Sequence, residues 1–158
     1  MKKHSFPKLK AITPSTLIVS VDIAKNVHWH RCTDYRGLPL GKAIIFLNNK
    51  EGFESILTSI KGLGKHNDLD QVLLGIEPTG HYWKPLANYL IIYGIKIVLV
   101  NPYHTKRSKE LDDNSPTTKD DKKDALTIAR LLRNGRFYQL YMPQDVFAEL
   151  RVLSGMPE

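Results

Sequence analysis

Apolar and polar positions along this chain fall into blocks whose period changes. Leu17 to Ile23 (LIVSVDI) is an apolar, β-branched run and predicts a first strand. His28 to Thr33 predicts a second and Lys42 to Leu47 (KAIIFL) a third, with Tyr35-Arg36-Gly37-Leu38-Pro39 as hairpin turn material between them. Over Glu51 to Lys61 the period lengthens. Phe53, Ile56, Leu57 and Ile60 recur at helical spacing, Asn48 or Asn49 offers a cap, and Gly62 and Gly64 are the expected stop. Gln71 to Ile76 then predicts a buried strand, Tyr82 to Tyr93 a helix ended by Gly94, and Ile95 to Val100 another strand. Strands separated by helical patterns predict a right-handed βαβ unit with parallel pairing. Asn101 to Asn114 is polar and basic, with room for a short helix. A last helix is expected from about Lys119 to Asn134, with Thr118 as N-cap, Asp121 at the capping-box position and Gly135 at the stop. The expected class is α/β: three meandering strands, a parallel continuation, and helices flanking a mixed five-stranded sheet.

Composition adds limits. At 158 residues, with 42% hydrophobic and 25% charged, the chain reads as one globular domain. A single cysteine, Cys32, excludes an internal disulfide framework and a cysteine-rich zinc site, and reads as a small buried hydrophobe in a strand. No segment approaches the eighteen or more apolar residues of a membrane span. The opening Met-Lys-Lys-His is followed by Pro7, Lys8 and Lys10, which interrupt any signal-peptide core, so a soluble cytoplasmic protein with no membrane partner is expected. Residues 1–15 carry four lysines, two prolines and no acid, and read as a basic flexible arm. Residues 16–140 are expected to form the domain and 141–158 to begin a connector. The net charge of +7 points to a polyanionic partner.

Three carboxylate placements do not suit a bland fold. Asp22 lies within the apolar run near the end of the first strand. Glu77 follows Val72 to Ile76 directly, at the carboxyl end of a strand, where sites gather in open α/β sheets. Taken singly, Asp22 reads equally as a capping acid and Glu77 as an exposed strand-end residue. In the last helix the apolar stripe is Ala125, Ile128, Ala129 and Leu132, and Asp121 and Asp124 extend that same face by one turn. Asp120 points to the flank, and Lys122 and Lys123 point away. A helix N-terminus favours acids in general, by about 0.3–1 kcal/mol each, but does not select the core-facing side. If Asp22, Glu77, Asp121 and Asp124 converge, like charges at close range require raised pKa values or bound cations. Oxygen ligands select hard divalent ions, Mg²⁺ first and Mn²⁺ as a substitute. Two such ions about 3.5–4 Å apart stabilise the attacking and leaving oxygens of phosphoryl transfer.

Val21-Asp22-Ile23-Ala24-Lys25, Glu77-Pro78-Thr79-Gly80-His81-Tyr82-Trp83, Val100-Asn101-Pro102 and Lys119-Asp120-Asp121-Lys122-Lys123-Asp124-Ala125 occur in that order. Together they resemble the N-terminal domain of the DEDD transposases of bacterial insertion sequences, which are related to the pilin-gene-inverting recombinases. The resemblance spans about residues 17 to 150. It implies a RuvC-like, RNase H-type fold, and it places the family tetrad on Asp22, Glu77, Asp121 and Asp124 as catalytic and metal-binding residues. Asp120 stands where the family has Thr or Asn. The resemblance further implies metal-dependent phosphodiester cleavage and DNA strand exchange, a structured guide RNA in some members, and a homo-oligomer in full-length form. A serine nucleophile is expected in a separate C-terminal domain, toward which residues 141–158 would lead; Ser154 matches no serine motif.

Other readings have distinguishable signatures. A sugar-kinase or actin-like ATPase needs glycine and hydroxyl residues after the first acid, where Ile23-Ala24-Lys25-Asn26 stands instead. A proofreading exonuclease needs Glu two positions after Asp22, where Ala24 stands. A Holliday-junction resolvase shares the acid layout, and the Glu77 to Trp83 stretch favours the transposase. A nucleic-acid-binding module without chemistry is the remaining alternative. Nine basic residues lie between Lys106 and Arg136, and phosphate contacts from such clusters give salt-dependent affinity. Lys25, Lys106, Arg107, Lys119 and Arg130 are the nucleic-acid-binding candidates. Arg130, Arg133 and Arg136 recur at helical spacing, as a groove-facing row or as a solvated face. His81 could approach the metal site, while Tyr82 and Trp83 read as core at a helix start.

Overall fold

The computed structural model describes residues 12–78, 80–100, 128 and 130–139. The elements are β1 (Thr16–Asp22), β2 (Val27–Thr33), β3 (Ile44–Leu47), α1 (Lys50–His66), β4 (Gln71–Ile76), α2 (Lys84–Ile92), β5 (Lys96–Leu99) and β6 (Tyr138–Gln139). They form one sheet in the order β3-β2-β1-β4-β5-β6. Pairing is antiparallel across β3-β2-β1, parallel across β1-β4-β5, and antiparallel again between β5 and β6. The mixed five-stranded sheet read from the sequence is present, in agreement with an RNase H-like arrangement. The two-residue β6 is an addition that no periodicity could announce.

β1 is central, and its first six residues are buried, so LIVSV must be apolar or small on both sides. Alternation divides its neighbours cleanly. Leu17, Val19, Val21, Leu74, Ile76, Ile97 and Leu99 form one core with Phe53, Ile56, Leu57 and Ile60 of α1 and Leu86, Ala87 and Leu90 of α2. Ile18, Leu73, Val98 and Val100 form a second core with Ile128, Leu131, Leu132 and Phe137. Each fully buried Leu or Ile adds roughly 1.5–3 kcal/mol of burial free energy, so both layers are held chiefly by these contacts.

α1 starts where expected. Asn49 is extended, with φ −156°, and its side-chain oxygen accepts from the Gly52 N–H at 2.8 Å. It does not stop at Gly62 or Gly64 but continues to His66. Gly64 is buried, and a Cβ there would lie 2.8 Å from the Leu69 carbonyl oxygen, so this glycine answers a close approach rather than a helix end. The stop is Asn67, whose backbone N–H and Nδ2 both donate to the Leu63 carbonyl, at 3.1 and 2.8 Å. α2 is shorter than expected, beginning after Trp83. Residues 128 and 130–133 are helical, and Gly135 (φ +74°) follows as the expected stop. Arg136 therefore lies beyond the helix and does not continue a row with Arg130 and Arg133. The β2–β3 turn is built on Asp34, whose carboxylate accepts from the N–H groups of Arg36 and Leu38 at 2.9 and 3.0 Å. No helix among the described residues is long and apolar enough to cross a membrane. The basic arm through residue 11, the Asn101–Asn114 stretch and the connector at 141–158 lie outside the described residues.

Candidate metal and nucleic-acid site

The parallel register sets the geometry. Val21 pairs with Ile76 across β1 and β4, so the next position on each strand brings Asp22 and Glu77 side by side at two neighbouring carboxyl ends. Val21 and Ile76 belong to the α1/α2 side. Alternation therefore puts Asp22 and Glu77 on the other face, with Ser20 and Gly75, where the C-terminal helical segment packs. Gly75 makes that packing possible: a Cβ there would lie 2.6 Å from the Leu132 methyls. Both acids are half-buried.

The donor chemistry divides in the same way. His28, His30 and Cys32 alternate onto the α1/α2 face of β2. Burial holds His30 down at about 4 and pushes the Cys32 thiol up to about 12. Both are thus neutral near pH 7, and neither reaches the acid face. What that face offers a cation is carboxylate oxygen, the donor set that suits Mg²⁺ or Mn²⁺ rather than a soft metal. No group of three or more His, Cys, Asp or Glu poised for a metal occurs among the described residues. Asp121 and Asp124, with Asp120 beside them, lie outside the described residues, so the structure brings together Asp22 and Glu77.

Of the basic candidates, Lys25 is exposed in the segment that follows Asp22, and Arg130 is exposed on the helical segment. Lys106, Arg107 and Lys119 lie outside the described residues. Arg133 donates to the Arg36 carbonyl in the β2–β3 turn, which ties the end of the helical segment to that hairpin. His81 is exposed and packs against Tyr82 in a tilted ring contact, 4.4 Å between centroids and 38° between planes. Trp83 is half-buried, and its Nε1–H donates to the Gly80 carbonyl at 3.1 Å.

Three residues at or beside this face carried no site signal in the sequence. Trp29 is the cross-strand partner of Asp22, and Arg31 is that of Ser20, so both share the acid face. The Nε of Arg31 is buried without a hydrogen-bond partner. Asn48 bonds to the segments after both acids. A period-two pattern gives each strand two faces, but only the hairpin register says which face of β2 joins which face of β1.

Comparison with known proteins bears on the same residues. A family model described as a transposase, that of the IS110-type DEDD transposases, matches residues 19–158. The pilin gene-inverting proteins of Moraxella bovis and Moraxella lacunata are each 32% identical over 126 residues, covering 73% of this chain. The chain spans about a third of the length of these relatives, 34% in each case. The matched region contains β2 to β6, most of β1, and both carboxylates. The chain belongs to the IS110-type family of DEDD transposases.

Proposed function

We propose that this chain is the acidic, RuvC-like domain of a DNA transposase or site-specific recombinase of a mobile element. In this reading Asp22, Glu77, Asp121 and Asp124 hold Mg²⁺, with Mn²⁺ as a substitute. The observation that carries it is the Val21–Ile76 pair, which sets Asp22 and Glu77 at adjacent strand ends, on the face that receives the C-terminal helical segment. The direction of that segment supports the full tetrad. Arg133 reaches the turn that follows Thr33, whose partner Ile18 lies near the start of β1. Read backward, the described helical residues lead away from that end, and Ile128 and Leu132, which the sequence pattern sets on one stripe with Asp121 and Asp124, are on the packed side.

When bound, the metal would stabilise charge on the phosphodiester oxygens. The chain's own contribution is to hold the carboxylates on a rigid sheet and to surround them with cations for phosphate. Lys25, Arg31 and Arg130 serve this role among the described residues, and Lys106, Arg107 and Lys119 serve it from the remainder. DNA is the proposed substrate. A structured guide RNA and homo-oligomerisation belong to the full-length protein, as does the attacking serine on a further domain. Localisation in the cytoplasm follows from that substrate.

The test is a calorimetric Mn²⁺ titration of the chain beside Glu77→Gln, Asp121→Asn and Asp120→Asn. Saturable binding, lost in the first two variants and kept in the third, is the expected result. Equal losses from Asp120→Asn and Asp121→Asn would refute the helical-face assignment. Absence of saturable binding by the wild-type chain would overturn the metal reading in favour of a nucleic-acid-binding module, a role its exposed cations already suit.

A further inference from the structure

Two segments leave the sheet at the acid face: the chain after Asp22 and the chain after Glu77. Both are tied to one side chain that comes from a third place. Asn48 follows β3 and precedes the N-cap of α1. Its Nδ2 donates to the Lys25 carbonyl at 3.0 Å and to the Tyr82 carbonyl at 3.4 Å. Its backbone N–H donates to the Asn26 carbonyl at 2.9 Å. A primary amide has two N–H bonds, and here each serves a different acid-bearing segment.

His28 completes the arrangement. It is fully buried, packs edge-on against Phe46 at 5.3 Å, and accepts the Ala24 N–H at Nδ1 at 3.2 Å. With Nδ1 accepting, the neutral ring carries its proton on Nε2. Burial lowers the pKa of His28, and the Asn48 side chain raises it again as a hydrogen-bonding neighbour. That Nε2 and the Oδ1 of Asn48 are both buried without a hydrogen-bond partner, so one leftover donor and one leftover acceptor of complementary kind lie in the same region. The position of Asn48 is in turn set by Gly52, where a Cβ would overlap the Leu47 carbonyl. Only glycine lets α1 start so close to the end of β3.

We infer that Asn48, backed by His28, is a positioning residue that locks the segments leaving Asp22 and Glu77 to one another and so fixes the spacing of the two carboxylates. The inference deepens the metal-site reading, and its cation arm rests on it. An exposed loop would tolerate many residues at position 48, whereas this geometry needs a two-proton donor with an acceptor on the same planar group. Aspartate has the shape but no proton to give, and would face two carbonyl oxygens.

The deciding experiment is hydrogen exchange on the wild-type chain, Asn48→Asp, His28→Leu and His28→Asn. In Asn48→Asp, protection should fall together at residues 23–27 and 80–84 while β4 and α1 stay protected. Loss at only one segment, or at neither, overturns the inference. His28→Leu should expose the Ala24 amide, and His28→Asn, which keeps an acceptor near the Nδ1 position, should restore it. Failure of that rescue removes His28 from the device. Outer partners of metal ligands change affinity by ~10–100-fold, so Mn²⁺ affinity should drop by about that factor in Asn48→Asp at a temperature where it is fully folded. An unchanged affinity would reduce Asn48 to a structural residue. A wild-type chain that binds no Mn²⁺ would refute the metal reading itself, and exchange coupling between the two segments would then decide the locking role alone.

Discussion

On one face of the sheet Leu17, Val19, Val21, Leu74 and Ile76 run apolar to the ends of their strands beneath α1 and α2. On the other face Ile18 and Leu73 give way within two residues to Ser20 and Gly75, and then to Asp22 and Glu77. The same two strands thus supply a continuous core and a polar edge, separated by nothing more than the direction of alternate side chains. A parallel pair keeps like positions beside like, so two acids at corresponding positions become neighbours without any loop having to place them.

That division predicts unequal responses to substitution. The largest should come from Leu74→Ala on the fully buried face, which should cost about 2–5 kcal/mol. Urea denaturation measures it, and the remaining folded protein should keep its Mn²⁺ affinity. A loss of affinity at full folding would break the separation of the two faces.

His30 belongs to the core face and gives that face a pH dependence. Burial sets its folded-state pKa at about 4 against an ordinary 6.5. Between those values the unfolded chain binds a proton that the folded chain refuses. Stability is therefore full above pH 6.5 and declines as pH falls toward 4, by roughly 3 kcal/mol at most. His28, lowered for the same main reason, tilts stability in the same direction. Urea midpoints at pH 7 and pH 5 should differ less in His30→Leu than in the wild type, and equal slopes would contradict the assignment.

Gly75 sharpens the comparison from the acid side. A methyl group at this position meets Leu132, and overpacking of that kind costs about 1–3 kcal/mol. Gly75→Ala should lift the helical segment and weaken Mn²⁺ binding more than an equally destabilising change on the α1/α2 face. Equal effects from matched variants would show that the helix does not contribute to the site. The smallest effect belongs to Lys25→Ala. It should leave thermal stability unchanged and lower DNA affinity modestly, reducing the log-log salt slope by about one unit. An unchanged slope would remove Lys25 from the phosphate contacts.

Much of this organisation was legible in the residue pattern because it is local. The strand runs, the Asn49 cap, the Gly94 and Gly135 stops and the position of Glu77 at a strand end depend on neighbours within a few residues. The helix running through Gly62 and Gly64 was not legible, because glycine as a helix stop and glycine as a close-approach residue look alike until Leu69 is seen against it. β6 escaped because two residues carry no period. Trp29 and Arg31 escaped for a different reason. Their share in the acid face depends on the β1–β2 hairpin register, which is closed by the short connection at residues 23–26 and not by any local pattern in β2.

The sequence by itself determined which residues could be acidic, apolar or cationic, and the order in which they meet the chain's turns. Hydrophobic period and turn chemistry are short-range properties, so one strand of text suffices for them. Tertiary structure decided which of those residues became neighbours. Asp22 and Glu77 are 55 positions apart, and only the parallel register of β1 and β4 unites them. Asn48 shows the same dependence more sharply. An asparagine after a strand has no distinguishing pattern, and it acquires its place between two acid-bearing segments because the packed sheet brings three distant parts of the chain within reach of one amide.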